Sequence, residues 1–333
     1  MGIDAEFQVP VIEFRTGSPD LERGTEGWHQ NCKRVREACE MYGCFQVVYE
    51  KISRRVREET FALLKDLVEE VPLERKQMNA NPKPYHSYFG PCSQDSLYEG
   101  FGIEDASNYD SVKSFAHIMW PDGHPYFCET VNTIVKQMEE LNNIIWLMII
   151  DSYGLGEKWE TVMMNSKTLL RMMKYMSPSS GEYRRGLHAH TDKPVSTIIC
   201  EDQIPGLEIE GKDGQWIKLS SSSTSFVFLV GDPLMVWSNG RMKAVKHRVM
   251  MNGDKDRYSI AAFTIPVEGT IIKIPEELID EQHPRLFKDF DFMDFLLFSF
   301  SEQVKLIDSA DQIYTFASLS PLFSDQNHAH IDN

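Results

Sequence analysis

His190-Thr191-Asp192 is followed by a lone His247 and then by Arg257-Tyr258-Ser259. Side chains alternate along an extended strand, so residues i and i+2 point the same way. The spacing predicts that His190 and Asp192 share one strand face. His247 reaches that face only if the chain folds back, as a β-sandwich or barrel does. Between Asp192 and His247 there is room for about four or five short strands with their turns. Arg257 and Ser259 share a strand face by the same rule.

The surrounding pattern agrees. Apolar runs at 195–200, 206–210, 215–219, 225–230, 234–237, 247–251 and 258–265 are short and separated by turn signals. Lys212-Asp213-Gly214 has the chemistry of a hairpin turn. Such a series predicts a β-sandwich or jelly roll. Upstream, residues 9–14 read as a strand, 28–42 as a helix closed by Gly43, 44–48 as a strand and 53–69 as a helix. Residues 77–114 read as one long irregular loop, and such loops often carry function. Phe127, Val131, Ile134, Met138, Leu141, Ile145 and Met148 step by three and four. That is one apolar stripe of a helix over 125–153, ended by Gly154. After Pro275 the pattern returns to helix, rich in phenylalanine, and 320–333 reads as a frayed tail. The fold class expected is mixed α/β, a jelly-roll core with flanking N- and C-terminal helices. Residues 1–120 are expected to form an N-terminal region, 121–320 the core region and 321–333 a tail.

Two imidazoles and one carboxylate on one face of a metal are the ligand set of non-haem Fe(II) sites, and they leave coordination positions open for chemistry. A guanidinium fork beside a hydroxyl, as in Arg257 with Ser259, suits bidentate capture of a carboxylate. A dicarboxylate could therefore span metal and clamp. A second HxD, His330-Ile331-Asp332, has no third ligand after it and reads as tail. His188 lies at i−2 from His190, but position 190 supplies no carboxylate to complete a set centred there. The methionines at 163, 164, 172, 173 and 176 read as core packing, with an adaptable apolar pocket as the alternative, and Ser220 to Ser225 as a surface turn. Gly181, Gly186 and Gly206 form no nucleotide fingerprint.

The chain has 333 residues, 42% of them hydrophobic, and a formal net charge of −16. Such acidity argues against nucleic acid and anionic membrane surfaces as partners. No apolar run approaches the roughly 20 residues of a membrane span. The first residues lack the pattern of a signal peptide, and Glu6 argues against myristoylation at Gly2. The six cysteines contain no CxxC and are expected as reduced thiols, which predicts a cytoplasmic protein. With no long apolar stripe left over, a monomer is expected.

Several ordered segments resemble the plant 2-oxoglutarate and Fe(II)-dependent dioxygenase superfamily. These are Met41 to Val48, Leu187 to Asp192, Gly206-Leu207-Glu208-Ile209, Asp213-Gly214-Gln215-Trp216, Trp237 to Arg241, His247-Arg248-Val249 and Arg257 to Ala261. Met119 to Gly123 and Phe127 to Thr130 are similar to the branch with deoxypodophyllotoxin synthase and the glucosinolate side-chain dioxygenases. The resemblance implies His190, Asp192 and His247 as iron ligands and Arg257 with Ser259 as the clamp for the C5 carboxylate. It implies a double-stranded β-helix core, with Fe(II), 2-oxoglutarate, O2 and the reductant ascorbate. Where many members carry Asn-Tyr-Tyr-Pro, this chain has Tyr175-Met176-Ser177-Pro178, which leaves Tyr175 as the cosubstrate candidate.

The expected reaction is oxidation of a substrate C–H bond, ending in hydroxylation, desaturation or oxidative cyclisation. Phe101, Phe115, Met119, Phe263, Phe292 and Phe295 are the candidate pocket residues, and they suggest a hydrophobic, mainly neutral plant specialised metabolite. Two other readings remain open: a non-haem iron oxidase that uses no 2-oxoglutarate, and a ligand-binding protein without catalysis on the same fold.

Overall fold

A computed structural model of the chain describes residues 8–15, 17–92, 94–158, 165–178, 182–219 and 224–320. The first strands are β1 (Val11–Phe14), β2 (Cys44–Tyr49) and β3 (Tyr98–Ile103). The core strands follow: β4 (Ser166–Tyr175), β5 (Arg184–His190), β6 (Ser196–Glu201), β7 (Leu207–Glu210), β8 (Trp216–Lys218), β9 (Ser225–Val230), β10 (His247–Met251) and β11 (Arg257–Pro266). They build a seven-stranded sheet in the order β1-β2-β9-β6-β11-β4-β3 and a four-stranded sheet in the order β5-β10-β7-β8. Apart from β1 with β2, these pairings are antiparallel. The Lys212-Asp213-Gly214 turn joins β7 to β8, with Gly214 at φ +76°.

Two helices, α1 (Glu26–Met41) and α2 (Arg54–Glu70), start on hydroxyl caps, Thr25 and Ser53. Gly43 ends the first at φ +71°, a conformation that a side chain would strain. Two further helices are α3 (Leu73–Gln77) and α4 (Tyr109–Met119). Next comes α5 (Pro125–Ser152), whose predicted stripe from Phe127 to Met148 is fully buried. A polar knot ties α5 to the sheet: Ser196 donates to Asn142 Oδ1 at 2.8 Å and accepts from Trp146 Nε1 at 3.2 Å. The chain closes with α6 (Asp232–Trp237), α7 (Phe292–Ser299) and α8 (Ser309–Ala317).

Two expectations are corrected. The run at 234–237 is helical, not a strand. All six residues of α6 are buried, and a short, continuously apolar run has no period to separate helix from strand. The irregular stretch 77–114 contains β3 and the first half of α4. Glycine hides β3: a Cβ on Gly102 would stand 2.2 Å from the Tyr85 carbonyl oxygen, so the strand admits no side chain there. Met163, Met164, Gly181, residues 220–223 of the polar run and the 321–333 tail, with its second HxD, lie outside the described residues.

The corner between β9 and α6 is as tight. A Cβ on Gly231 would lie 1.8 Å from the Pro194 oxygen and 3.1 Å from the Asp192 oxygen. Gly231→Ala is therefore expected to force backbone movement and lower Tm by roughly 5–10 °C, an effect of a few kcal/mol. Calorimetry of the two proteins checks this, and an unchanged Tm would show that the corner yields freely.

Candidate metal and carboxylate site

His190 ends β5 directly opposite His247 at the start of β10. Their ring centroids are 4.3 Å apart. The strand stops at His190, so Asp192 stands just beyond the strand end, its carboxylate still turned toward the two imidazoles. Two contacts hold it there. Its backbone oxygen accepts from Asp232 N at 2.8 Å, and the Thr197 hydroxyl donates to Oδ2. The other carboxylate oxygen, Oδ1, lies 3.7 Å from Nε2 of both histidines. Ligand atoms of all three residues fall within 4.8 Å of one another, and among the described residues no other His, Cys, Asp or Glu group of this size does so.

Local bonds choose the imidazole tautomers. His190 Nδ1 sits 2.8 Å from the His188 oxygen and His247 Nδ1 3.2 Å from the Val245 oxygen. A carbonyl only accepts, so each Nδ1 carries the hydrogen and each Nε2 presents a lone pair toward Asp192. Burial first, then His247 and His188, holds the His190 imidazole well below its ordinary pKa. A neutral imidazole is the form that binds metal. Two such nitrogens and one carboxylate fit Fe(II). His188 is not drawn in: its Nδ1 bonds Asp95 Oδ2 at 2.8 Å.

On the larger sheet, β11 sets Arg257 opposite Tyr175 of β4 and Ser259 opposite Glu201 of β6. Arg257 is buried. Its Nη1 donates to Ser259 Oγ at 3.2 Å, and its guanidinium lies 4.8 Å above the Tyr175 ring. The Tyr175 hydroxyl is directed to Met173 Sδ at 3.6 Å. Arg257 Nη2 donates to the carboxylate of Glu201. Burial disfavours the cation, but Glu201 and Tyr175 offset this and the pKa of Arg257 ends above its ordinary value. Among the described residues Arg257 Nε finds no hydrogen-bond partner, which leaves one buried donor for an incoming carboxylate. Sequence reasoning missed Glu201. The signal was a lone carboxylate ending the apolar run 195–200, on the inward face by its period of two.

A cavity of about 970 Å³ opens beside His190. Phe263 lines it, with its ring 5.3 Å from that of Tyr85. The other predicted pocket residues do not. The inward positions of β3 are Tyr98, Gly100 and Gly102, so Phe101 faces away and packs edge-on to Phe115 at 6.3 Å. Phe115 of α4 in turn stacks on Phe127 of α5 at 5.9 Å, and Met119 is buried at the end of α4. Phe292 and Phe295 are fully buried in the C-terminal core, Phe295 against Phe290 and Phe316. In their place Tyr85, Arg171, Met173 and Phe300 line the cavity.

Comparisons agree with this geometry. Residues 166–266 match the 2OG-Fe(II) oxygenase superfamily model, and residues 9–133 match the N-terminal model of non-haem dioxygenases in morphine synthesis. An Arabidopsis thaliana relative, "Probable 2-oxoglutarate-dependent dioxygenase AOP1.2", is 38% identical, with 94% of this chain and 96% of the relative covered. The crystal structure of the dioxygenase for auxin oxidation in rice superposes with a TM-score of 0.72 at 30% identity, covering 86% of this chain and 93% of that one. Its Arabidopsis thaliana counterpart, a binary complex with 2-oxoglutarate, gives a TM-score of 0.73 at 26% identity, covering 84% and 100%.

No helix among the described residues is long and apolar enough to cross a membrane. Replacing one ligand tests the metal centre directly. His247→Ala is expected to abolish Fe(II) retention at micromolar metal, measured by metal analysis after gel filtration. Iron held as tightly as in the parent would refute the three-residue centre.

Proposed function

The chain belongs to the 2OG-Fe(II) oxygenase superfamily and is an Fe(II)- and 2-oxoglutarate-dependent dioxygenase; from that premise we propose that His190, Asp192 and His247 hold its iron and that Arg257 with Ser259 binds the C5 carboxylate of 2-oxoglutarate. The observation that carries this reading is the single carboxylate oxygen of Asp192 placed 3.7 Å from both Nε2 atoms. Tyr175 serves by packing under the Arg257 guanidinium, its hydroxyl donating to Met173 Sδ while its oxygen accepts from Arg257.

Iron and 2-oxoglutarate, when bound, supply the oxidation of a substrate C–H bond by O2, with succinate and CO2 as coproducts. The protein's own residues position and shield. The His188 and Val245 carbonyls keep each Nδ1 protonated, and Thr197 steadies Asp192 by bonding the oxygen that faces away from the histidines. Phe263 and Tyr85 give the cavity beside His190 an apolar wall that excludes water from the reacting carbon. The substrate is a small metabolite with an apolar body, and hydroxylation, desaturation and ring closure all start from the same hydrogen abstraction. We place the protein in the cytosol, which fits its six free cysteines. We read it as a monomer, because exposed large apolar residues such as Met78, Tyr126 and Leu306 are scattered along the chain.

The test is an anaerobic titration of the Fe(II)-loaded protein with 2-oxoglutarate, followed by visible absorbance. A keto acid chelated to Fe(II) gives a charge-transfer band, and a saturating band is the expected result. Iron bound without a band would defeat the cosubstrate assignment. Two variants locate the clamp. Arg257→Ala should raise the half-saturating 2-oxoglutarate by roughly 100-fold, the loss of a charged hydrogen-bonded pair worth about 2–3 kcal/mol. Glu201→Gln should lower it by about tenfold, because the cosubstrate no longer competes with an internal carboxylate. An unmoved midpoint in both would place the clamp elsewhere.

A further inference from the structure

Six cationic side chains line the cavity beside His190: Lys83, Arg171, Arg185, Lys193, Lys246 and Lys305. Five have a carboxylate partner. Lys83 pairs with Glu268 at 2.7 Å, Arg185 with Asp95 at 3.9 Å, Lys193 with Asp232 at 2.7 Å, Lys305 with Glu302 at 2.5 Å, and Lys246 with Asp308. Arg171 is the exception: among the described residues no carboxylate pairs with it. It is also buried, at 5% exposure. Its bonds go to neutral oxygens, from Nη1 to the Tyr85 and Ser87 carbonyls at 2.7 and 2.8 Å and from Nη2 to the Tyr98 hydroxyl at 2.6 Å. Burying a charge without a counter-charge is costly.

The fold makes room for this guanidinium. A Cβ on Gly100 would stand 2.7 Å from Arg171 Nη2, and one on Gly102 2.2 Å from the Tyr85 oxygen that Nη1 bonds. Tyr85 itself adopts φ +71°, which a side chain rarely takes. Two glycines and one strained tyrosine thus fix the cation in place. It is not part of the Arg257 clamp. Arg171 lies opposite Ala261, four residues along β4 from Tyr175, roughly 13 Å at strand spacing. Its neighbour in the next inward row is Phe263, opposite the Thr197 that bonds Asp192.

We propose that Arg171 docks a carboxylate of the substrate, whose apolar body lies against Phe263 and Tyr85 with its reacting carbon toward His190. This rests on the dioxygenase reading of the His190 centre. The bonds to Tyr85, Ser87 and Tyr98 leave Nε–H and one Nη2–H, the pair of atoms that forms a side-on fork for a planar carboxylate. One unpaired cation matches one negative charge, and a phosphate monoester, with nearly two, would be left half neutralised. This proposal departs from the expectation of a mainly neutral metabolite. That expectation rested on aromatic residues counted without knowing which strand face they occupy.

The test compares acids with their amides on the complete Fe(II)·2-oxoglutarate protein under anaerobic conditions. The probes are 1-naphthylacetate against 1-naphthylacetamide and 4-phenylbutyrate against 4-phenylbutyramide. Binding is read by calorimetry and by the shift of the visible band. At least one acid should bind tenfold or more tightly than its amide. Arg171→Gln should erase that preference while the 2-oxoglutarate midpoint stays within about twofold; Arg171→Lys should keep part of it. Equal binding of acid and amide to the unaltered protein, no binding of either acid, or a preference that survives Arg171→Gln would overturn the proposal. Absence of the visible band before any probe is added marks instead a failure of the dioxygenase reading.

Discussion

His190 and His247 face each other because β5 and β10 pair antiparallel with these two residues opposite one another, beside a register shift between His247 and Val249. Side chains alternate across a strand, so a slip of one residue would send one imidazole to the opposite face. The β10 strand is also pinned on its other edge, where His247 lies opposite Ile209 of β7. Nothing in β5 holds Asp192. It depends on the Gly231 corner, whose lack of a side chain lets the Pro194 and Asp192 carbonyls approach, and on the Asp232 amide. The three donors therefore meet only where the register of one sheet and a turn of the other are both correct.

The parts of this arrangement that obey a simple period were legible in the sequence. The stripe of α5 and the pairing of Arg257 with Ser259 follow from spacing alone, while joining His247 to His190 needs the fold-back that the series of short strands implies. Where the chain leaves its period, reading failed. The short α6 is buried on every side, and a uniformly apolar run carries no phase. Strand β3 is hidden because two of its three inward positions are glycines, which weaken a strand signal while serving close approach. The pocket list failed for a related reason. Aromatic residues mark apolar surroundings, but only Phe263 among those chosen sits on a strand whose inward face was known from the site itself. Arg171 lies in the run Leu169-Leu170-Arg171-Met172-Met173, whose two faces cannot be told apart until β3 and β11 are placed beside it.

Charge within the molecule follows a different logic from charge in the composition. A chain of formal charge −16 repels anions at a distance, yet it gathers cations around the His190 cavity. Most of those cations are neutralised on the spot by a nearby carboxylate, so they shape the wall more than its potential. The long-range field and the local field therefore have opposite signs. An anion pays to approach the molecule and gains at Arg171, the one cavity guanidinium that no carboxylate among the described residues pairs with, and salt, which screens the first effect more than the second, shifts the balance toward binding.

Two buried guanidiniums on the same inward face of β4 and β11 thus stand in opposite states. Arg257 already holds Glu201, so a cosubstrate carboxylate gains only the difference between itself and an internal ligand, and it can use the orphaned Nε–H without displacing Glu201 entirely. Arg171 holds neutral oxygens, so a substrate carboxylate gains a counter-charge that the folded protein lacks. The desolvation cost of each cation was met on folding, so what differs is the competitor each ligand must face. Such an arrangement weakens the grip on the shared cosubstrate relative to an uncontested clamp and strengthens discrimination for the specific substrate. On the proposed assignments selectivity resides at Arg171, where acid and neutral analogue differ by a full charge interaction, and not at Arg257, where one carboxylate is weighed against another.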